Sequence, residues 1–94
     1  MPILRIRHSV PNYDGWKHAF DRDPMDRKGS GVRRYNAYRA VADPGFVMID
    51  LELDSLEQAN GLLERLRQFW AGPGGAVVRN PEAWVVEQVE SITV

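Results

Sequence analysis

Residues 32–58 read VRRYNAYRAVADPGFVMIDLELDSLEQ, and the order of signals in that stretch settles the architecture. Val32 to Val41 and Phe46 to Leu53 are two runs rich in aromatic and β-branched residues, as strands require. Between them, Asp43-Pro44-Gly45 is turn chemistry: proline fixes one φ and glycine accepts a positive one. Ser55-Leu56-Glu57-Gln58 follows at once as a capping-box pattern. A hairpin therefore runs directly into a helix.

Reading forward, Leu56, Ala59, Leu62, Leu63, Leu66 and Phe69 or Trp70 repeat at helical spacing and form its core side. Gly61 weakens that helix by about 1 kcal/mol relative to alanine and is expected to permit a close approach to the sheet. Gly72-Pro73-Gly74-Gly75 stops it. Ala76 to Pro81 is an irregular approach to a last strand, Trp84 to Ile92. Reading backward, Pro24 to Gly31 is a polar connector. Before it lies a helix capped by Asn12, with Tyr13, Trp16, Phe20 and Lys17 on its buried side and an end at Asp23-Pro24. Ile3 to Val10 is the first strand, with Leu4, Ile6, His8 and Val10 on one face and Ile3, Arg5, Arg7 and Ser9 on the other.

The order β-α-β-β-α-β predicts an α+β, ferredoxin-like domain spanning residues 1–94. Right-handed crossovers place both helices on one face of a four-stranded antiparallel sheet of order 4-1-3-2. Twelve Lys and Arg stand against thirteen Asp and Glu, and cysteine is absent. That balance offers no basic surface for nucleic acid. The absence of cysteine excludes disulfides, thiolate metal sites and a cysteine nucleophile, and suits a cytoplasmic protein. No apolar run approaches the roughly 20 residues that cross a bilayer, so no membrane partner is expected.

On the helix-free face, strand three presents Phe46, Met48, Asp50 and Glu52, opposite Arg5 and Arg7 of strand one. Cross-strand ion pairs are expected there. Large side chains mixed with these charges predict a partner sheet, and hence a homodimer, against the competing reading of a solvated polar sheet face. On the covered face, a two-residue turn at Asp43-Pro44 or Pro44-Gly45 aligns Val32, Arg34, Asn36, Tyr38 and Ala40 with Ile49 and Leu51. Arg33, Tyr35 and Arg39 then face the other way. A three-residue loop or a bulge exchanges the two sets. With the shorter turn, His8, Asn36 and Tyr38 are polar groups beneath the helices beside Trp16 and Phe20, as in a mostly apolar ligand site with a few orienting groups. The competing reading is that they bond one another and finish the core.

Other motifs are silent. His18 faces away from the Trp16–Phe20 stripe, towards solvent. Two histidines without a helical HxxxH pair or a nearby carboxylate motif make a weak case for a metal, and none is expected. The glycine run at 72–75 follows a helix, so it lacks the geometry of a phosphate cradle. There is no GxSxG elbow and no dinucleotide fingerprint, and no cofactor is expected.

Over nearly its full length the chain resembles the dimeric α/β-barrel superfamily, specifically proteins like the antibiotic biosynthesis monooxygenases. The order of elements, the short polar connector, Arg33-Arg34-Tyr35 opening strand two and Phe69-Trp70 ending helix two carry the resemblance. It implies two sheets closed back to back, helices outside, and a small-molecule pocket between sheet and helices. It also implies one of several chemistries: cofactor-independent oxygenation, polyketide cyclisation, lactone isomerisation or haem degradation. Haem-degrading members would supply a histidine from the second helix, and Leu56 to Ala71 contains none. In the oxygenase or cyclase reading the ligand is aromatic or polyketide-like and His8 is acid or base. Tyr38 and Asn36 orient a phenol or stabilise an enolate, and Trp16, Phe20 and Arg34 line the ligand. The alternatives are a non-catalytic ligand-binding homodimer and a purely structural one.

Overall fold

The computed structural model describes residues 1–94. Its elements are β1 (Pro2–Ser9), α1 (Tyr13–Asp21), β2 (Val32–Arg39), β3 (Phe46–Leu53), α2 (Leu56–Ala71), a 3-10 turn (Pro73–Ala76) and β4 (Arg79–Glu87). All pairings are antiparallel and the order is β2-β3-β1-β4. This is the ferredoxin-like α+β arrangement, with the strand order that the succession of elements predicts. No helix is long and apolar enough to cross a membrane.

Both helix starts are capped as their residues dictate. The Asn12 side chain accepts from the Gly15 N–H at 3.0 Å, and Ser55 Oγ accepts from the Gln58 N–H at 3.1 Å. Each satisfies one of the backbone donors that a helix start leaves unpaired. The core lies between sheet and helices. Leu4 and Ile6 of β1 and Val47, Ile49, Leu51 and Leu53 of β3 meet Trp16 of α1 and Ala59, Leu62 and Leu63 of α2. Two residues of the expected apolar stripes are displaced from it. Leu56, in the first turn of α2, is 59 % exposed. Lys17 pairs with Asp21 one helical turn on instead of entering the core.

Gly61 does not face the sheet. It is exposed, and a Cβ there would meet nothing within 4 Å. A different glycine is required by the backbone: Gly31 has φ +96°, and a Cβ would come within 2.6 Å of the Gln58 side chain. The last strand begins five residues earlier than the pattern suggests and ends at Glu87. Asn80 adopts φ +52° where the β1–β4 register shifts, and this irregularity accommodates Pro81 on an edge strand.

The hairpin decides the rest. Its loop runs over five residues, 41–45, and not two. Ala40 N–H donates to Phe46 O at 3.0 Å, Phe46 N–H to Asp43 O at 3.0 Å, and Gly45 N–H to Asp43 Oδ1 at 2.9 Å. A further bond from Val10 N–H to Gly45 O at 2.7 Å ties the loop to the end of β1. With this loop Arg39 pairs with Val47, Ala37 with Ile49 and Tyr35 with Leu51. The register shifts between Val32 and Arg34, so Val32 pairs with Leu53 and regains the covered face. The expected sets are therefore exchanged along most of β2. Tyr35, Ala37 and Arg39 share the helix-covered face, and Arg34, Asn36 and Tyr38 lie on the helix-free one.

Ion pairs on the helix-free face follow this register. Arg5 makes a bidentate pair with Asp50, at 2.9 and 3.0 Å. Arg7 reaches Glu82 of β4, and Glu52 pairs with Arg34. Such partly exposed pairs contribute roughly 0–1 kcal/mol each and act mainly on register.

Candidate small-molecule site

A cavity of about 90 Å³ lies between the sheet and the helices. Ile6, Ile49 and Leu51 form its floor. Trp16 and Phe20 come from α1, and Leu62, Leu66, Phe69 and Trp70 from α2. The wall is almost entirely apolar, and the exceptions are His8, Asp23 and Arg27.

His8 enters because alternation along β1 puts it on the same face as Leu4 and Ile6. It is 4 % exposed, and its Nδ1 is fully buried without a hydrogen-bond partner. Burial pushes its pKa down to about 4; the Ser9 backbone offsets part of that shift without satisfying Nδ1. Removing a charge from water is costly, so the imidazole stays neutral at pH 7. Its ring meets Trp16 edge-on, with centroids 5.6 Å apart. Trp16 stacks on Phe20 at 5.1 Å.

Helical spacing brings Trp16 and Phe20 together on one face of α1, and the parity of β1 sets His8 beside them. The structure thus assembles three of the residues singled out in the sequence. The other three are elsewhere. Asn36, Tyr38 and Arg34 lie on the helix-free face of β2, exposed to solvent, for the reason of register given above. Asn36 stands opposite Asp50 and Tyr38 opposite Met48, with the sheet between them and the cavity. The expected grouping of Asn36 and Tyr38 with His8 beneath the helices is therefore corrected. Tyr35 takes their place on the covered side, edge-to-face with Phe20 at 5.3 Å.

Arg27 is the residue that periodicity does not find. It belongs to the connector, which is ordered by its own polar groups. The Asp23 carboxylate accepts from the Arg27 N–H at 2.9 Å. Ser30 Oγ donates to Met25 O at 2.7 Å and accepts from Arg65 of α2 at 2.9 Å. The Arg27 guanidinium donates to Phe20 O at 2.9 Å and lies 4.0 Å above the Phe20 ring and 4.9 Å from that of Tyr35. A cation over two aromatic faces is held in a defined plane. The four-residue separation of Asp23 and Arg27 is the one hint of this pairing in the sequence.

No group of three or more His, Cys, Asp or Glu side chains is arranged to hold a metal ion. The chemistry available is that of a neutral imidazole, a stacked guanidinium paired with the Asp23 carboxylate, and aromatic walls.

No protein-family model matches the chain, and no curated protein is detectably similar in sequence. Solved structures share its architecture. SnoaB from Streptomyces nogalater, a cofactor-independent oxygenase, superposes with a TM-score of 0.75 at 10 % identity, over 97 % of this chain and 95 % of its own. Rv0793 from Mycobacterium tuberculosis gives 0.66 at 15 % identity, over 99 % and 100 %. A Nitrosomonas europaea protein provisionally assigned to the antibiotic biosynthesis monooxygenases gives 0.70 at 11 %, over 94 % and 89 %. The chain thus has the fold of the antibiotic biosynthesis monooxygenase-like structures. At these identities the likeness is one of fold, and function has to be argued from the site.

Proposed function

We propose that this protein is a cytoplasmic small-molecule enzyme of the cofactor-independent oxygenase or cyclase type, working as a homodimer in the cavity between sheet and helices. His8 carries the proposal: a neutral imidazole with an unpartnered, buried nitrogen in the wall of an otherwise apolar cavity. An unsatisfied buried polar atom costs roughly 1–3 kcal/mol. Such groups concentrate where a fold serves chemistry instead of packing.

The mechanism follows from what the wall can do. Trp16 and Phe20 flank the edge of a flat ring, and His8 accepts a proton from an activated C–H group, the carbanion formed beside it offsetting the cost of charging a buried imidazole. The apolar surroundings exclude water from the resulting anion. In an oxygenase that carbanion is itself the reductant of dioxygen. The net change turns a CH2 group and O2 into a C=O group and H2O, and no cofactor is needed. In a cyclase the same carbanion attacks a carbonyl of its own molecule. SnoaB, a cofactor-independent oxygenase on this fold, supports the first variant.

The test is oxygen uptake with a panel of single-ring phenols and β-dicarbonyl compounds. A substrate found in this way should lose on the order of 10²–10⁴-fold in turnover in His8→Phe, the range for general acid–base catalysis. Undiminished turnover removes His8 from the mechanism. The non-catalytic reading draws support from one observation: no carboxylate or other side chain hydrogen-bonds His8 to orient it. It predicts ligand binding with no product under any of these conditions.

A further inference from the structure

The interior cavity is too small to be a complete site. At about 90 Å³ it falls short of the roughly 150 Å³ that admits a benzene. It is also well below the roughly 300–1,000 Å³ usual for a small-molecule pocket. Next to it lies an open surface cleft of about 350 Å³. Asp23 and Arg27 line both spaces, so this one pair of side chains forms the wall between them. The cavity alone cannot house an aromatic ring, so a ring that reaches it extends through this junction into the cleft.

Two features make that junction directional. The first is a continuous line of rings. Tyr35, in the cleft, meets Phe20 at 5.3 Å; Phe20 meets Trp16 at 5.1 Å; Trp16 meets His8 at 5.6 Å. The second is charge. Arg27 is the one fixed cation in the cavity wall, and the cleft adds Lys28, Arg33 and Arg34. Arg33 and Arg34 are paired with Asp54 and Glu52, whereas Lys28 has no carboxylate partner. Arg27 is only partly committed. Its Nε lies 3.3 Å from Asp23 Oδ1 and its Nη1 donates to Phe20 O, which leaves Nη2 without an acceptor in the chain.

We propose that cavity and cleft are one site for an anionic aromatic molecule, with the inner edge of its ring reaching Trp16 and His8, the body of the ring alongside Phe20 at the junction, and its carboxylate or phenolate held at the mouth by Arg27. This rests on the cavity being the substrate site and adds the charge and the orientation of what enters it. An anionic oxygen cannot follow the ring inward, because ion burial in an apolar wall costs several kcal/mol. It stops where a partly desolvated guanidinium offers a charge-assisted hydrogen bond. Lys28 raises the local concentration of anions from outside. The end of the molecule opposite the anchor is then the end presented to His8.

The probes are 4-nitrophenol, whose yellow phenolate reports its own ionisation, and nitrobenzene, its uncharged counterpart. Binding is followed by tryptophan fluorescence and by visible absorbance across pH. The wild-type protein should bind 4-nitrophenolate at least tenfold more tightly than nitrobenzene, and the bound phenol should ionise at lower pH than the free one. Arg27→Gln should lose that tenfold preference and reverse the ionisation shift, and Arg27→Lys should retain both in weakened form. Lys28→Gln should flatten the salt dependence of binding. Equal wild-type affinity for the two probes, or binding of neither, overturns the proposal without recourse to any variant. So does a folded Arg27→Gln protein with unchanged preference. His8→Phe should keep the ionisation shift, so charge-selective binding without turnover would count against the oxygenase reading alone.

Discussion

His8 is buried among apolar groups with a pKa near 4 instead of the usual 6.5, and this links folding to pH. The unfolded chain takes up its proton first as pH falls. The neutral-histidine contribution is therefore complete above about pH 6.5 and is lost progressively down to about pH 4. Its full size is roughly 3 kcal/mol. Urea unfolding at pH 7 and pH 4.5 should show a loss of roughly 2.5 kcal/mol in the wild-type protein, and His8→Phe should lose distinctly less. Parallel losses would mean that the folded imidazole is charged at the lower pH. Gly31 is the second residue whose role is local. Its φ of +96° is a conformation that L side chains rarely adopt, so Gly31→Ala should cost about 1–3 kcal/mol in the same assay. The burial of His8 is legible from the parity of β1, because Leu4 and Ile6 alternate with it. The requirement at Gly31 is not legible, since its positive φ belongs to a connector whose Gly31 carbonyl accepts from the Asp54 N–H, 23 positions further on.

Secondary-structure elements respond to substitution according to where they face. Gly61 sits on the solvent side of α2 with open space around it. Gly61→Ala should raise stability by about 0.4–1 kcal/mol, by restricting the unfolded chain and supporting the helix. Thermal unfolding checks this, and a loss of stability would show that α2 needs a close approach at that point after all. The extents of β1, β3 and both helix starts are readable because periodicity, caps and breakers act within a few residues of themselves. The register of β2 is not readable in the same way. Asp43-Pro44-Gly45 suggests a tight turn, yet Asp43 bonds to Gly45 and Phe46 within a five-residue loop that β1 anchors through Val10. The shift near Arg33 then restores Val32 to the core. Loop length and one extra residue decide which side chains of β2 see the cavity.

On the scale of the whole molecule, the helix-free face is the surface left unfinished. Tyr38, Met48 and Trp84 stand 49 %, 39 % and 42 % exposed on it, among ion pairs that fix their setting. Arg7 lies over the Trp84 ring at 5.1 Å. A second sheet packed on this face would bury them, and sedimentation in the micromolar range should give about twice the 10.7 kDa of one chain. Trp84→Glu should shift the mass to the monomer with little change in the monomer's own unfolding. A monomeric wild-type protein would remove the back-to-back arrangement. The amino-acid sequence by itself determined the succession of elements, the sheet order, the facing of β1 and β3 and the meeting of His8 with Trp16 and Phe20. Each of these follows from local periodicity or from the handedness of short crossovers. Only the tertiary structure decided that Asn36 and Tyr38 lie across the sheet from the cavity while Tyr35 and Arg27 stand at its mouth. Those placements depend on a register shift, a loop anchored to a distant strand and a connector packed on aromatic rings, and no short stretch of sequence contains them.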